Sequence, residues 1–222
     1  GLELYRREYP CGMVTNGLAL DENRLDRLLR AGLHSITVSL DGFREDHNYL
    51  RGSEKSYDAA LRAVRLTAHE PSIASDVVTC VTARSLGRLP EFREMLIAEG
   101  VRSWRLFTIF PLGRAAQDPS LQLDDEQFTR LMEFIRDARK AGRSRTSSGC
   151  ASIRADYNQG NIYRDDFWEV WQNRFVPFRK REWARRDDCA DCAMFRYCLG
   201  GGMHLHDGDG RLLLCHYKRL TR

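Results

Sequence analysis

From about residue 11 to residue 142, short apolar runs alternate with longer stretches in which apolar residues recur every three or four positions. The short runs are rich in β-branched side chains and end at polar residues, which predicts strands. The predicted strands are residues 13–16, 34–40, 76–82 and 103–110. The helical spacing predicts helices at about residues 22–31, 53–68, 89–99 and 124–141. Four strand-then-helix units in series predict an α/β fold with right-handed crossovers and a parallel sheet or partial barrel.

The ends of these strands supply candidate functional residues. In parallel folds with crossover helices, ligand-binding groups gather at the carboxyl ends of the strands. That rule selects Asn16, Ser39, Asp41, Thr82 and the stretch after Phe110. A predicted loop after the second strand carries His47, Tyr49 and Arg51. Taken alone, Asp41-Gly42 also fits a simple turn and Arg51 a surface residue.

The rest of the chain divides into two further segments. Residues 143–148 are small and polar, which predicts a linker or a domain boundary. Residues 158–178 carry aromatic residues at intervals of three or four, which predicts a helix whose rings form part of the core by docking on the barrel. A short cysteine-rich segment follows. The predicted division is therefore residues 1–142, 143–186 and 187–222.

Composition and charge exclude several classes of protein. The chain of 222 residues is 42% hydrophobic and 30% charged, which is typical of a globular protein. The net charge is +4, and the basic residues are scattered along solvated helix faces, so no nucleic acid is predicted as a partner. No apolar run is long enough to span a membrane and the first residues do not resemble a signal peptide, which predicts a cytoplasmic protein.

The cysteines predict a metal site rather than disulfides. The chain has seven cysteines, an odd number, and four of them are clustered near the end. The run is Cys189-x2-Cys192-x5-Cys198, and Cys215 follows after sixteen residues. Four thiolates at such spacing predict a closed cage for an iron–sulfur cluster or for zinc. Cys11 and Cys80 lie in apolar runs and are predicted to be small buried residues.

Zinc is the alternative to iron and sulfur at this site. His204, His206 and His216 lie close enough in sequence to replace one thiolate. The five residues between Cys192 and Cys198 exceed the usual spacing of two to four in zinc sites, which favours an iron–sulfur cluster. A zinc site would make the segment a structural element whose function is to bind a partner.

Several of these motifs resemble a known family. Thr15-Asn16-Gly17, the helix ending at Ala31-Gly32, the run from Ile36 to Gly42 and the loop to Arg51-Gly52 resemble the middle strands of radical SAM enzymes. The cysteine run resembles the second half of the SPASM extension of peptide-modifying members. Residues 107–115 and 159–163 are similar to a subgroup whose genes neighbour those of lipoproteins.

The resemblance implies a chemistry and a set of ligands. Members of the family use a 4Fe-4S cluster to split S-adenosylmethionine reductively, and the resulting 5′-deoxyadenosyl radical abstracts hydrogen from a peptide or protein substrate. An electron donor protein is implied as a further partner. By position, Ser39 and Asp41 resemble residues that contact the ribose and the amino-acid part of S-adenosylmethionine, and Arg51 resembles the arginine that pairs with its carboxylate. Asn16 and Thr82 are candidates of the same kind.

The sequence departs from the family in two places. The signature Cys-x3-Cys-x2-Cys and the glycine-rich strand motif are absent from these residues, so an enzyme truncated before its third strand is expected. Only Cys150 stands where the extension normally has a cysteine pair, and Gly202 stands where it has a further cysteine, so one auxiliary 4Fe-4S cluster is predicted. Two hypotheses follow: part of a radical SAM enzyme, or a catalytically inactive metal-binding module that holds a peptide or protein.

Overall fold

The computed structural model of the protein describes residues 2–110, 113–141, 145–149, 159–160 and 164–221. The chain divides into two compact units, Gly1–Cys150 and Ala151–Arg222. The predicted division at residues 142 and 186 stays a prediction. Some residues singled out in the sequence lie outside the described ranges, namely Cys150, Pro111, Leu112 and residues 161–163.

A five-stranded parallel sheet forms the centre of the first unit, with its strands in sequence order. The strands are β1 (Cys11–Thr15), β2 (Leu33–Ser39), β3 (Ala74–Val81), β4 (Ser103–Thr108) and β5 (Arg145–Gly149). Val38 lies opposite Thr15 on one side and Val77 on the other, and Val77 lies opposite Trp104. The prediction of an α/β fold with a parallel sheet is confirmed.

Helices connect the strands of the first unit. They are α1 (Leu2–Arg6), α2 (Glu22–Arg30), α3 (Arg44–Arg51), α4 (Ser56–Ala68), α5 (Ala83–Leu86), α6 (Leu89–Ala98) and α7 (Asp125–Lys140). Asp21 caps α2, because its side chain accepts a hydrogen bond from Arg24 N at 2.8 Å. The predicted loop that carries His47 is wrong, since those residues form α3. Its sequence REDHNYLR has too few apolar positions to show a helical stripe.

The fifth strand was not predicted. Residues 143–148 gave no apolar signal, yet the backbone of Arg145–Gly149 pairs in parallel with β4 from Ser103 to Phe107. A strand that ends a sheet is held by backbone hydrogen bonds along one side and needs no apolar run to form them. The linker interpretation is therefore wrong for β5, whereas the boundary between the two units falls directly after it.

The two faces of the sheet differ in chemistry. One face carries Ile36, Val38, Val77, Trp104 and Leu106, all at most 2% exposed and packed with helical residues into one core. Because side chains alternate along a strand, the intervening residues lie on the opposite face. We call this the polar face, and within β1 to β4 it consists of Gly12, Val14, Ser35, Thr37, Ser39, Ala74, Asp76, Val78, Cys80, Ser103, Arg105 and Phe107.

The second unit is made of short helical turns and loops. Its helices are α8 (Phe167–Glu169), α9 (Val176–Arg179), α10 (Phe195–Cys198) and α11 (His216–Thr221), a π-helical turn spans Val170–Arg174, and 3₁₀ turns span Glu182–Ala184, Asp187–Cys189 and Met203–Leu205. The helical prediction for the aromatic segment is confirmed between residues 167 and 179. The expected burial of its rings is wrong for Phe167 and Trp168, which are each 63% exposed.

Among the helices of the described ranges, none combines the length and the apolar character that crossing a membrane requires.

Gly17 tests how closely the end of β1 packs on α4. Its φ is +78°, and an added Cβ would lie 2.8 Å from Ala60 Cα and 2.9 Å from the Ala59 carbonyl oxygen. We expect Gly17→Ala to lower the free energy of unfolding by about 2–4 kcal/mol, because backbone strain and overpacking add. Gly52 has φ +63° but open space around it, so Gly52→Ala is the matched control and should cost about 1 kcal/mol. Equal losses in urea unfolding would contradict the close packing at Gly17.

Candidate functional site

Asp41 follows β2 and lies at the centre of a buried polar cluster. Its side chain has no exposed surface. Oδ1 accepts a hydrogen bond from Cys80 N at 2.9 Å, and Oδ2 accepts one from Arg51 Nε at 2.6 Å. The carboxylate thus joins the end of β2 to the next strand of the sheet and to the last turn of α3. Two donors, one of them charged, compensate for the removal of this carboxylate from water.

His47 completes the cluster from within α3. Asp41 N donates a hydrogen bond to His47 Nδ1 at 3.0 Å, so Nδ1 is an acceptor and Nε2 carries the hydrogen. Nε2 in turn donates to Ser56 Oγ at 3.0 Å. Burial lowers the pKa of His47 below its usual value, and the nearby Arg51 guanidinium acts in the same direction. The imidazole is therefore neutral, and its 3.6 Å approach to the Asp41 carboxylate is not an ion pair.

Arg51 was selected from the sequence as a ligand for a carboxylate. The structure places its Nε on Asp41 and leaves its side chain 33% exposed. Neither terminal nitrogen of Arg51 hydrogen-bonds to a residue in the described part of the chain. Asp41 thus fixes Arg51 through Nε, and the two terminal nitrogens of Arg51 remain available to donate hydrogen bonds to a ligand. Whether S-adenosylmethionine is that ligand stays a prediction.

The other three residues selected from strand ends have different surroundings. Ser39 is buried near the carboxyl end of β2, 8% exposed, on the polar face. Asn16 Oδ1 accepts from Leu18 N at 3.1 Å and so shapes the turn after β1. Thr82 forms a capping box with Ser85 at the start of α5. These contacts give Asn16 and Thr82 local structural roles, and their ligand contacts stay predictions.

A second polar network, on the polar face, was not predicted. Thr37 Oγ1 donates to Asp76 Oδ1 at 2.6 Å and accepts from Arg105 Nη2 at 2.8 Å. Arg105 Nε donates to Asp76 Oδ2, which closes the triangle. The sequence showed only that Thr37, Asp76 and Arg105 are polar residues within three predicted strands. Their sequence separations of 39 and 29 residues gave no hint that they meet.

The four cysteines of the second unit line one cavity of about 130 Å³. Most of its other lining residues are apolar or glycine, and they include Met194, Phe195, Leu205, Leu212 and Leu214. The pKa of Cys189 is raised, first by burial and then by the charges of Cys215, Cys198 and Cys192. Lys218 N donates a hydrogen bond to Cys215 Sγ at 3.5 Å. The sulfur atoms that the spacing predicted to share one site are thus brought to one cavity.

The backbone after Cys198 turns sharply to bring these sulfurs together. Leu199, Gly200 and Gly201 all have positive φ, at 49°, 82° and 78°. A Cβ on Gly200 would lie 2.7 Å from Ala184 Cβ, so only glycine permits the approach of this turn to the 3₁₀ helix. Ala184, Cys189 and Phe195 form the small buried cluster beneath it.

Among the described residues, no three His, Cys, Asp or Glu side chains converge closely enough to hold a single metal ion. His206 packs on the Trp183 ring at 4.9 Å and does not line the cavity, whereas His216 does. The side chain of His204 lies outside the described part of the structure.

Acid sensitivity is expected from His47. Because the folded state holds the imidazole neutral, stability is complete above about pH 6.5 and falls at lower pH as the unfolded chain takes up a proton. One such group contributes at most about 1.4 kcal/mol per pH unit. The measurement is urea unfolding between about pH 7.5 and about pH 5.5. In His47→Asn, whose amide oxygen still accepts from Asp41 N, the pH slope should be shallower than in the wild type. Identical slopes would contradict this account of His47.

Comparisons with known proteins agree with this architecture. Residues 2–80 match the model of the Radical SAM superfamily. The chain is 22% identical over 214 residues to an AdoMet-dependent heme synthase of Oleidesulfovibrio alaskensis, which covers 95% of this chain and 50% of the relative. It is 23% identical over 226 residues to the mycofactocin maturase MftC of Mycobacterium tuberculosis, which covers 85% of this chain and 58% of the relative. The chain thus spans about half the length of these curated relatives.

Solved structures share the fold. The structure of hexahistidine-tagged anSMEcpe with bound AdoMet has a TM-score of 0.71 at 17% identity, covering 100% of this chain and 77% of that chain. Streptococcus suis SuiB bound to the precursor peptide SuiA has a TM-score of 0.67 at 12% identity, covering 90% of this chain and 56% of that chain. The SPASM and lipoprotein-subgroup resemblances stay predictions. Residues 2–80 thus match the Radical SAM superfamily in sequence, as the strand motifs predicted, and the chain shares its fold with these solved structures.

Proposed function

We propose that this chain is part of a radical SAM enzyme that modifies a peptide or protein, and that Cys189, Cys192, Cys198 and Cys215 hold an auxiliary 4Fe-4S cluster. The family match of residues 2–80 supports the radical chemistry. The fold shared with a chain that binds AdoMet and with one that binds a precursor peptide supports the choice of ligand and substrate. The single observation that carries the proposal is the gathering of four thiols around one cavity in a chain with this fold.

The residues of the second unit fit a cluster better than a single ion. A 4Fe-4S cluster is larger than one Zn²⁺ and takes four thiolates that stand further apart. The four thiols line a common cavity, and the five residues between Cys192 and Cys198 exceed the usual spacing of a zinc site. Zinc is therefore the less favoured occupant.

The cysteines and the residues around them would hold the cluster and set its reduction potential. When bound, a 4Fe-4S cluster supplies one-electron transfer. The four cysteines hold it as thiolates, and binding requires the protons of these thiols to leave. The apolar lining excludes water, and Lys218 N places one hydrogen bond on the Cys215 sulfur. Both features set the potential of a cluster in such a site.

The first unit would hold S-adenosylmethionine at the carboxyl ends of its strands. Arg51, fixed by Asp41, offers two terminal nitrogens to the carboxylate of that ligand. Ser39 and Asn16 are neighbours at the carboxyl ends of β2 and β1, because the residue before each of them, Val38 and Thr15, is paired in the sheet. They are proposed to face the ribose and the amino-acid part, respectively. The contact of Asp41 with the ligand would be indirect, through Arg51.

A second candidate function is an inactive module that binds a peptide or protein through the same surfaces. In such a module the cavity lined by the four cysteines would be a structural metal site. Both the enzyme and the inactive module keep the cysteine site, so metal content does not distinguish them. Binding of S-adenosylmethionine is the better test.

Cys192→Ala tests the cluster assignment. After anaerobic reconstitution with iron and sulfide, we expect the variant to lose the brown colour and the bound iron and sulfide, because a cage of four ligands loses one. Faster hydrogen exchange between residues 187 and 218 should accompany the loss. Cys11→Ala, which changes a thiol of β1 in the first unit, is the matched control and should retain full iron and sulfide. Normal iron and sulfide in Cys192→Ala would refute the assignment, and zinc alone in the wild type would support the alternative.

Arg51→Lys tests the proposed place of S-adenosylmethionine. Binding rather than cleavage is the appropriate assay, and saturation-transfer NMR of the reconstituted protein with S-adenosylmethionine measures it. Loss of the planar fork should weaken binding about tenfold, because lysine cannot donate two parallel hydrogen bonds to a carboxylate. Arg62→Lys on α4 is the control and should bind as the wild type does. If the wild-type protein shows no saturation transfer to S-adenosylmethionine, or if both variants bind it equally well, the assignment of Arg51 is wrong.

A further inference from the structure

Arg105 is held rigidly in the middle of the polar face. Its Nε donates to Asp76 Oδ2 and its Nη2 donates to Thr37 Oγ1 at 2.8 Å. Thr37 donates its own hydroxyl hydrogen to Asp76 Oδ1 at 2.6 Å, so every hydrogen bond of the triangle has a consistent donor and acceptor. The Phe107 ring lies 5.8 Å from the guanidinium carbon. A long side chain is thereby fixed in one place on the sheet.

The network leaves part of the arginine available to bind a ligand. The Nη1 group of Arg105 makes no hydrogen bond to residues in the described ranges. The arginine side chain is 39% exposed, whereas Asp76 is 17% exposed and Thr37 is 8% exposed. The two inner residues thus orient the guanidinium, and its remaining N–H groups are presented at the surface of the face.

Charge decides which ligand suits these donors. Within the polar face of β1 to β4, Asp76 and Arg105 are the charged residues, and each neutralises the other. An anionic ligand would gain little net attraction from a neutral pair and would approach the Asp76 carboxylate. A neutral carbonyl oxygen needs only the directed N–H donors and meets no repulsion. Ser39 and Val78, which lie on this face in β2 and β3, are small and uncharged.

We propose that Arg105 is a specificity-determining residue that binds an amide carbonyl of a peptide, and that Asp76 and Thr37 position it. The inference rests on the proposed function in taking the polar face as the surface that meets substrate. It goes further by naming the group that is recognised: a neutral backbone or side-chain amide rather than an ionised carboxylate.

The test compares a neutral and an anionic probe on the full chain. The probes are N-acetylglycine N-methylamide and acetate at equal ionic strength, and the readout is the guanidinium NMR signal of Arg105 in arginine-labelled protein. The signal is assigned by its disappearance in Arg105→Lys. We expect the amide to shift it saturably and acetate to bind about tenfold more weakly, while the signal of exposed Arg102 stays in place for both. A preference for acetate, or no shift with either probe, would overturn the proposal.

Two variants separate charge from positioning. Asp76→Asn leaves Arg105 without its counter-charge, so acetate should now bind about tenfold more tightly than in the wild type. Thr37→Val keeps the ion pair and removes the hydroxyl, so the amide should bind more weakly while its preference over acetate remains. Circular dichroism confirms that each variant folds. An unchanged preference in folded Asp76→Asn would contradict the charge argument. Loss of cluster binding in the second unit would refute the proposed function but leave this result intact.

Discussion

The buried carboxylate of Asp41 is the interaction on which the carboxyl end of the sheet depends. A carboxylate with no exposed surface is costly to remove from water, and several kcal/mol must be recovered from its partners. Cys80 N and Arg51 Nε are those partners, and they come from a neighbouring strand and from α3. The backbone N–H of Asp41 also donates a hydrogen bond to the neutral His47 and fixes its ring. One side chain therefore sets the position of α3 relative to β2 and β3, and with it the direction of Arg51.

The chemistry of the sheet's two faces has a related consequence. Parallel sheets are normally buried on both faces, and their strands are then continuous apolar runs. Here Thr37, Asp76 and Arg105 interrupt three adjacent strands on the same face. The ion pair is only partly buried, because Arg105 is 39% exposed, and such pairs contribute little to stability. The triangle therefore fits the ligand role that we propose for Arg105.

Periodicity in the sequence predicted the elements whose energetics are local. Strands β1 to β4 are marked by β-branched residues, and α2 and α7 by apolar residues at helical spacing. The helix α3 and the strand β5 were missed because polar sequences formed them, one held by the Asp41 cluster and the other by pairing with β4. Tertiary contacts decided both, and no window of a single sequence contains them.

The candidate sites show the same division. Spacing predicted that the four cysteines share a metal site; they line one cavity, and their role as metal ligands stays a prediction. Asp41 and Arg51 were selected singly, and only the structure shows that the first holds the second. The Thr37 triangle could not be predicted because its members lie on three strands that crossover helices separate.

If the four cysteines hold a cluster as proposed, folding of the second unit and metal binding form one equilibrium. Its buried apolar cluster is small, formed by Ala184, Cys189 and Phe195 with a few partly buried neighbours. A segment of short turns with so little apolar burial recovers little of the entropy that folding costs. Burial raises the pKa of Cys189, and repulsion from the charges of Cys215, Cys198 and Cys192 raises it further. A bound cation or cluster removes that repulsion and supplies the missing cohesion at once. The positive φ angles from Leu199 to Gly201 are unfavourable for the backbone, and binding of the proposed cluster would offset their energy.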